Sequence, residues 1–340
     1  MPKAQGVDMY TMKSQRIRAT FKARYSRFIS AALISSTLIF TITSTVRAGE
    51  PEAKSTVQAP PLEAPPLSLI HGLINLEFSN AYITPRGLDV QNKGLVLQPL
   101  FLLFFDLYSP KENFINDVSL TIGDWNSVHT AIAGSGPHPG HWNETDPLVG
   151  LTVKFFKDLQ FDAFYTAFVS QVDAFKTSQN LDLKLTYHDK ILNDKLVKGL
   201  SINPYFEMFI ETSNKATVVL DRATSQRGYY FQLGVDPTYG FENFPLTIEL
   251  PTYVNFPSDN FYQNFAGKGS VSTVGLFTTE LKGTVPLKFI PKGYGNWSVY
   301  AGVQYYYLIN QGLLDGNQVL ATSERKHSLW QVHGGLTIVF

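Results

Sequence analysis

His138-Pro139-Gly140-His141, with His129 before it and Glu144 and Asp146 after it, is the one cluster in this 340-residue chain that resembles a metal site. Histidines three apart on a helix can share a zinc ion. Here Pro139 and Gly140 stand between them, so the run reads as a turn in a loop and no metal is expected. No His-Glu-x-x-His, phosphate loop or Gly-x-Ser-x-Gly pattern occurs. His327-Ser328 and His188-Asp189 are pieces a hydrolase could use at a rim. Adjacent residues of a strand point to opposite faces, however, which separates His327 from Ser328. No catalytic residue, cofactor or metal is therefore assigned. What remains is a set of charges at alternating positions within β-like segments: Glu77, Asp162, Lys184, Glu207, Glu211, Glu280 and Lys282.

Strands must position such a set. From about Ile70 onward there is no helix-length period, only alternation broken by turn residues. The clearest case is the last: Trp330, Val332, Gly334, Leu336, Ile338 and Phe340 occupy every second position, with Gln331, His333 and Thr337 between them. One face is apolar and the other mixed, as a strand between lipid and a polar interior requires. Working backward gives about twelve strands: Ile70–Thr84, Leu95–Tyr108, Ile115–Asp124, Leu148–Phe156, Gln160–Gln171, Leu181–His188, Leu200–Thr212, Gly228–Asp236, Leu246–Phe256, Val271–Val285, Trp297–Ile309 and His327–Phe340. Their connections alternate between short ones (157–159, 290–296) and long ones (125–147, 213–227, 257–270). The stretch 189–199 is long for its place, and a miscount there would give ten or fourteen strands.

Alternation assigns faces. Ile74, Leu76, Phe78 and Tyr82 are expected outside, with Asn75, Glu77 and Ser79 inside. In the sixth strand Leu181, Leu183, Leu185 and Tyr187 are outside, with Asp182, Lys184, Thr186 and His188 inside. Leu95–Leu107 is apolar on both faces apart from Gln98 and Asp106, and could instead be a buried core strand. Trp297 and Tyr305-Tyr306-Tyr307 lie near strand ends, where an interfacial aromatic girdle would sit.

The first 48 residues differ in kind. They carry eight bases against one acid, and removing these from the 28 bases and 28 acids of the chain leaves 20 against 27, a balance of about −7. An acidic remainder argues against nucleic acid as a partner. Phe28 to Val46 is free of charge and ends in Val46-Arg47-Ala48, so residues 1–48 read as a signal peptide, with a retained anchor as the alternative. Ser and Thr in the run, and the small residues at its end, favour cleavage. Residues 49–69 form a Pro-rich periplasmic lead-in, and 70–340 a single domain. There is no cysteine, mean hydropathy is −0.06 and no second long apolar run occurs, which excludes a polytopic helical membrane protein.

With the leader, the alternating final strand and the terminal Phe340 in view, the chain resembles the porin-like β-barrels of Gram-negative outer membranes. In these a C-terminal Phe serves as a recognition signal for the insertion machinery. The resemblance covers the last dozen residues and, more weakly, everything from Ile70. It implies an all-β, antiparallel up-and-down transmembrane barrel in the cell outer membrane. The expected partners are outer-membrane lipid, the barrel-insertion machinery, and small solutes or ions that cross passively. The seven charges then line a narrow, weakly cation-selective pore, or pair with one another and plug it. The alternatives are a non-conducting structural or partner-binding barrel, an outer-membrane hydrolase and a secreted β-sandwich.

Overall fold

The computed structural model describes residues 69–110, 114–133, 138–189, 197–213, 227–263, 274–318 and 325–340. The leader and most of the Pro-rich lead-in lie outside the described residues. Twelve strands form one closed antiparallel sheet: β1 Ile70–Ser79, β2 Val96–Tyr108, β3 Ile115–Ala133, β4 Gly140–Phe155, β5 Leu159–Ser170, β6 Ser178–Tyr187, β7 Leu200–Ser201 and Pro204–Glu211, β8 Tyr229–Val235 and Thr238–Gly240, β9 Thr247–Glu249 and Thr252–Pro257, β10 Leu276–Pro286, β11 Asn296–Leu308 and β12 Ser328–Val339. Each pairs with its neighbour in sequence, and β1 pairs with β12 from Leu73↔Val339 to Ser79↔His333, closing the barrel. Closure satisfies every strand edge, so stability needs no cross-link.

The expected alternation governs the wall. Trp330 and Val332 on β12 are 59% and 53% exposed, whereas Gln331 and His333 between them are 4% and 8% exposed. In β2, Phe101, Leu103 and Leu107 are exposed on the outer face. The register puts Leu100, Leu102 and Phe104 inside, opposite Trp125, Gly123 and Thr121 of β3. The strand apolar on both sides is thus a wall strand and not a buried core strand. Gly123 is required beside it, since a Cβ there would lie 2.3 Å from Leu102.

β7, β8 and β9 are each interrupted at one level, at Ile202-Asn203, Asp236-Pro237 and Leu250-Pro251. Proline cannot donate to a ladder, and the β7 gap is bridged by the Asp189 carboxylate, which accepts from the backbone N–H groups of Ile202 and Asn203 at 2.7 and 2.8 Å. The rest of the 189–199 stretch falls largely outside the described residues, as do 271–273 of the expected tenth strand.

Two expected boundaries are corrected. The stretch 125–147 is not a long loop: β3 and β4 run on to Ala133 and from Gly140, paired through Trp125↔Asp146 and Ser127↔Glu144 to Ala133↔Gly140. The outward face of this hairpin turns from Leu120, Ile122, Val149 and Leu151 to polar Asp124, Asn126 and Thr145. Thr145 donates to the Asp124 carboxylate at 3.0 Å, and beyond it the exposed surface is mixed, with Trp142 and Ile132 among the polar residues. The second correction is at β1, which ends at Ser79 and not at Thr84. Asn80 fastens the strand end to Val332 by its backbone N–H and by its side-chain oxygen. The chain then turns inward, and Tyr82 is a buried residue of the interior, not of the outer face.

Candidate functional site: the filled lumen

Residues 80–95 fold into the barrel as a small hairpin of Tyr82–Ile83 and Asp89–Gln91. Its tip is a tight turn: Gly87 N–H donates to Thr84 O at 2.8 Å, and Leu88 N–H to the Thr84 hydroxyl at 3.1 Å. Gly87 takes φ +87°, and a Cβ there would come within 3.0 Å of Leu276, Leu308 and Leu313, so both conformation and space demand glycine.

Contacts from all round the wall hold this segment. Tyr82 donates to Glu144 of β4 at 2.9 Å. Tyr253 of β9 donates to Pro85 O and Tyr262 to Arg86 O, both at 2.9 Å, and Tyr306 of β11 to Ile83 O at 3.4 Å. A short helix, α1 Gln311–Asn317, is capped by Asn310 and ends on a reciprocal amide latch. Asn317 accepts from Asp89 N–H at 2.9 Å and donates to Gly87 O at 2.8 Å. Ile83, Leu88, Leu276, Leu308, Leu313 and Leu314 pack together beneath it as the barrel's internal core. Burial pushes the Asp89 carboxyl above its ordinary range, against a hydrogen bond from Asn92. Burial, and then the Glu144 charge, raise the Tyr82 hydroxyl.

Arg86 is the central charge of the segment. Its guanidinium lies 4.7 Å from the Phe168 ring centroid and 5.0 Å from that of Phe209. The residue is 8% exposed, and its Nε has no hydrogen-bond partner. Beside it a cavity of about 540 Å³ remains, lined by Glu77, Asp182, Glu207, four glutamines (Gln98, Gln232, Gln304, Gln331), Trp125 and five tyrosines. Tyr82 and Trp125 form one tilted aromatic pair of that wall, with centroids 5.3 Å apart.

The register puts all seven charges expected inside on the inward face, but it divides them. Glu77 and Glu207 line the cavity. Glu77 accepts from Tyr300 at 3.0 Å and lies 3.3 Å from His333, whose other nitrogen is 3.1 Å from Glu280. Glu207 accepts from Gln232 at 3.2 Å. Asp162 accepts from Thr152 and Gln160. Lys184 pairs with Asp236 at 3.5 Å and sits 3.8 Å from the centroid of the Tyr205 ring. Lys282 pairs with Glu249 at 2.7 Å. Glu211 is fully buried and accepts the Gly228 N–H, so it is a strap for the chain rather than a wall charge. Tyr306, expected in an outer girdle, is buried inside. Its neighbour Tyr305 does face outward, with its ring centroid 4.5 Å from that of Trp330.

Sequence reasoning missed Arg86, the residue with most to do inside the lumen. Its signal, a base between Pro85 and Gly87, marks a turn and says nothing of where the turn goes. The catalytic fragments stay apart. His327 bonds Leu308 O while Ser328 bonds Tyr305, and His188 bonds Gln160 while Asp189 holds backbone. Ser127 and His129 do meet at 2.8 Å, but the remaining ring nitrogen has no acid partner. His141 bonds the His129 carbonyl, and no group of three or more metal-ligating side chains occurs among the described residues.

No known family and no curated protein matches the chain in sequence. Among solved structures it is similar to an outer-membrane channel from Pseudomonas putida F1, with 10% identity and a TM-score of 0.41 over 84% of this chain and 100% of that one. It is also similar to the NanC porin, with 10% identity and a TM-score of 0.40 over 79% and 98%. A third is a porin at 11% identity and a TM-score of 0.30 over 80% and 99%. These likenesses concern the fold alone. By its own strand pairing the chain is a closed twelve-strand antiparallel barrel.

Proposed function

We propose that the protein is exported, sits in the outer membrane and passes small solutes passively through a narrow, weakly cation-selective lumen that residues 80–95 restrict. The observation that carries this reading is the polar cavity left beside the inserted segment. Eight-stranded barrels are filled by their own side chains and sixteen-stranded ones leave an open channel. Twelve strands here enclose a whole hairpin and still about 540 Å³ of space bordered by charge. Its border carries three acids, Glu77, Asp182 and Glu207, against Arg86 alone. In a confined lumen such an excess concentrates cations and depletes anions.

The pairing of Lys184 and Lys282 with Asp236 and Glu249 favours a second reading, a closed barrel whose interior charges neutralise one another. Planar-bilayer recording of the intact protein separates the two. The pore reading expects small unitary currents, a reversal potential displaced toward the cation value at low salt, and larger currents once 82–93 are replaced by Asn-Gly. Absence of channels in both proteins favours the closed barrel, and an anion preference refutes the charge argument.

A further inference from the structure

We infer that the lumen cavity is a binding site for a neutral polyhydroxylated solute of mono- to disaccharide size. This deepens the pore reading and rests on it for a route to the cavity. The volume, about 540 Å³, falls in the roughly 300–1,000 Å³ range of small-molecule sites.

The lining groups are both donors and acceptors, and several are unused. Gln98 is 6% exposed and its amide makes no hydrogen bond with the described protein. The Arg86 Nε and one Asp182 oxygen are buried without partners. Gln331 uses only its oxygen, at 3.5 Å from the Tyr306 hydroxyl, and Gln232 only its nitrogen, on Tyr205 and Glu207. Buried polar groups are ordinarily satisfied, so the unused amide groups of Gln98, Gln232 and Gln331 that border the cavity mark a place kept for a ligand.

The chemistry of the groups selects among ligands. A hydroxyl donates and accepts at once, and amides and carboxylates answer both needs. Adjacent hydroxyls on a ring suit Gln98, Gln331 and Asp182, and the apolar face of the ring suits the aromatic wall at Trp125. A free anion would meet the acids Glu77, Asp182 and Glu207 at close range. A small cation is drawn to those acids but has no use for the amide donors of Gln98 and Gln331, whereas the hydroxyls of a neutral solute use donors and acceptors alike.

Calorimetric titration of the whole detergent-solubilised barrel tests this without requiring conduction. Sucrose or maltose is expected to bind saturably and to change tryptophan fluorescence. Gln98→Leu should weaken binding at least tenfold, and Trp125→Phe should remove the fluorescence change. Should Gln98→Leu fail to fold, Gln331→Leu reads the same contact. No saturable sugar binding, or tighter binding of glutamate or lysine than of either sugar, overturns the inference. In the bilayer, a barrel that conducts but is neither blocked nor bound by sugar sinks this site and leaves the pore standing. A barrel that binds sugar yet passes no current sinks the pore and leaves the site standing.

Discussion

Replacing Asn317 with Leu removes the latch on the inserted segment while nearly preserving volume. In the wild type the Asn317 amide answers two buried backbone groups, Asp89 N–H at 2.9 Å and Gly87 O at 2.8 Å. Leucine leaves both unpaired, and an unsatisfied buried polar group costs about 1–3 kcal/mol. The docked segment should therefore lose about 2–6 kcal/mol, a shift of roughly 30-fold to 20,000-fold in its undocking equilibrium at tenfold per 1.4 kcal/mol. The tyrosine bonds from β9, β11 and Tyr262 remain, so undocking becomes more frequent without becoming dominant. Trypsin reads the change directly. Arg86 is buried in the docked segment, whereas Lys93 lies exposed at the mouth, so cleavage after Arg86 follows the undocked population and cleavage after Lys93 serves as the internal reference. The ratio of Arg86 to Lys93 cleavage should rise at least tenfold in Asn317→Leu. An unchanged ratio would show that the latch does not hold the segment and that the apolar packing beneath it does.

Acid should tighten the same segment. The Asp89 carboxyl is raised by burial when docked, so protonation favours docking: stability is gained as pH falls through the raised value and lost as pH rises above it. Asp89→Asn should dock more firmly at neutral pH and flatten the pH dependence of Arg86 cleavage. On the wall, Leu183 faces outward between Ala163 and Met208, and an Arg at a lipid-facing midplane site costs about 2–4 kcal/mol. In a refolding titration Leu183→Arg should be destabilised by about that amount and inward Lys184→Arg far less; equal losses would mean the faces are reversed. Deleting Phe340 should slow insertion and cause periplasmic accumulation, measured by pulse-chase fractionation, and a normal insertion rate would reject the signal role. Sequencing the protein from outer membranes should give an N terminus at or within a few residues of Gly49, and an intact leader there would contradict export by cleavage.

The strands were legible because an apolar outer face and a polar inner one impose a period of two that Trp330 through Phe340 or Leu181 through His188 cannot disguise. The same rule failed at Tyr82. Tyr82, Ile83, Leu88 and Val90 are apolar because they pack inside the barrel, and a local pattern does not reveal which apolar surroundings a residue enters. It failed in the opposite sense at 125–133, where Asn126 and Thr130 on one face and the buried Ser127 and His129 on the other are all polar, so no apolar alternation marks the strand. The inward charges were found by alternation, yet their partners were not. Lys184 meets Asp236 and Lys282 meets Glu249 through ladder registers interrupted at Pro237 and Pro251, and register is a property of the whole sheet.

The seam between β1 and β12 has a consequence in time. Thr337 bonds Asn75 across it, 262 positions away in the chain. Phe340 exchanges two backbone bonds with Gly72, where its ring fills the space a side chain would take, since a Cβ would lie 2.1 Å from it. None of these contacts can exist until both the first and the last strand of the barrel have been made. Sequence separation is close to its maximum at this one seam, while every other strand pair joins neighbours in sequence, so closure is the late, slow step. Through that interval two unpaired strand edges stay open to any passing backbone. The finished barrel has no edge to attack, but the unclosed one has two, so the unclosed chain is the form open to wrong pairing.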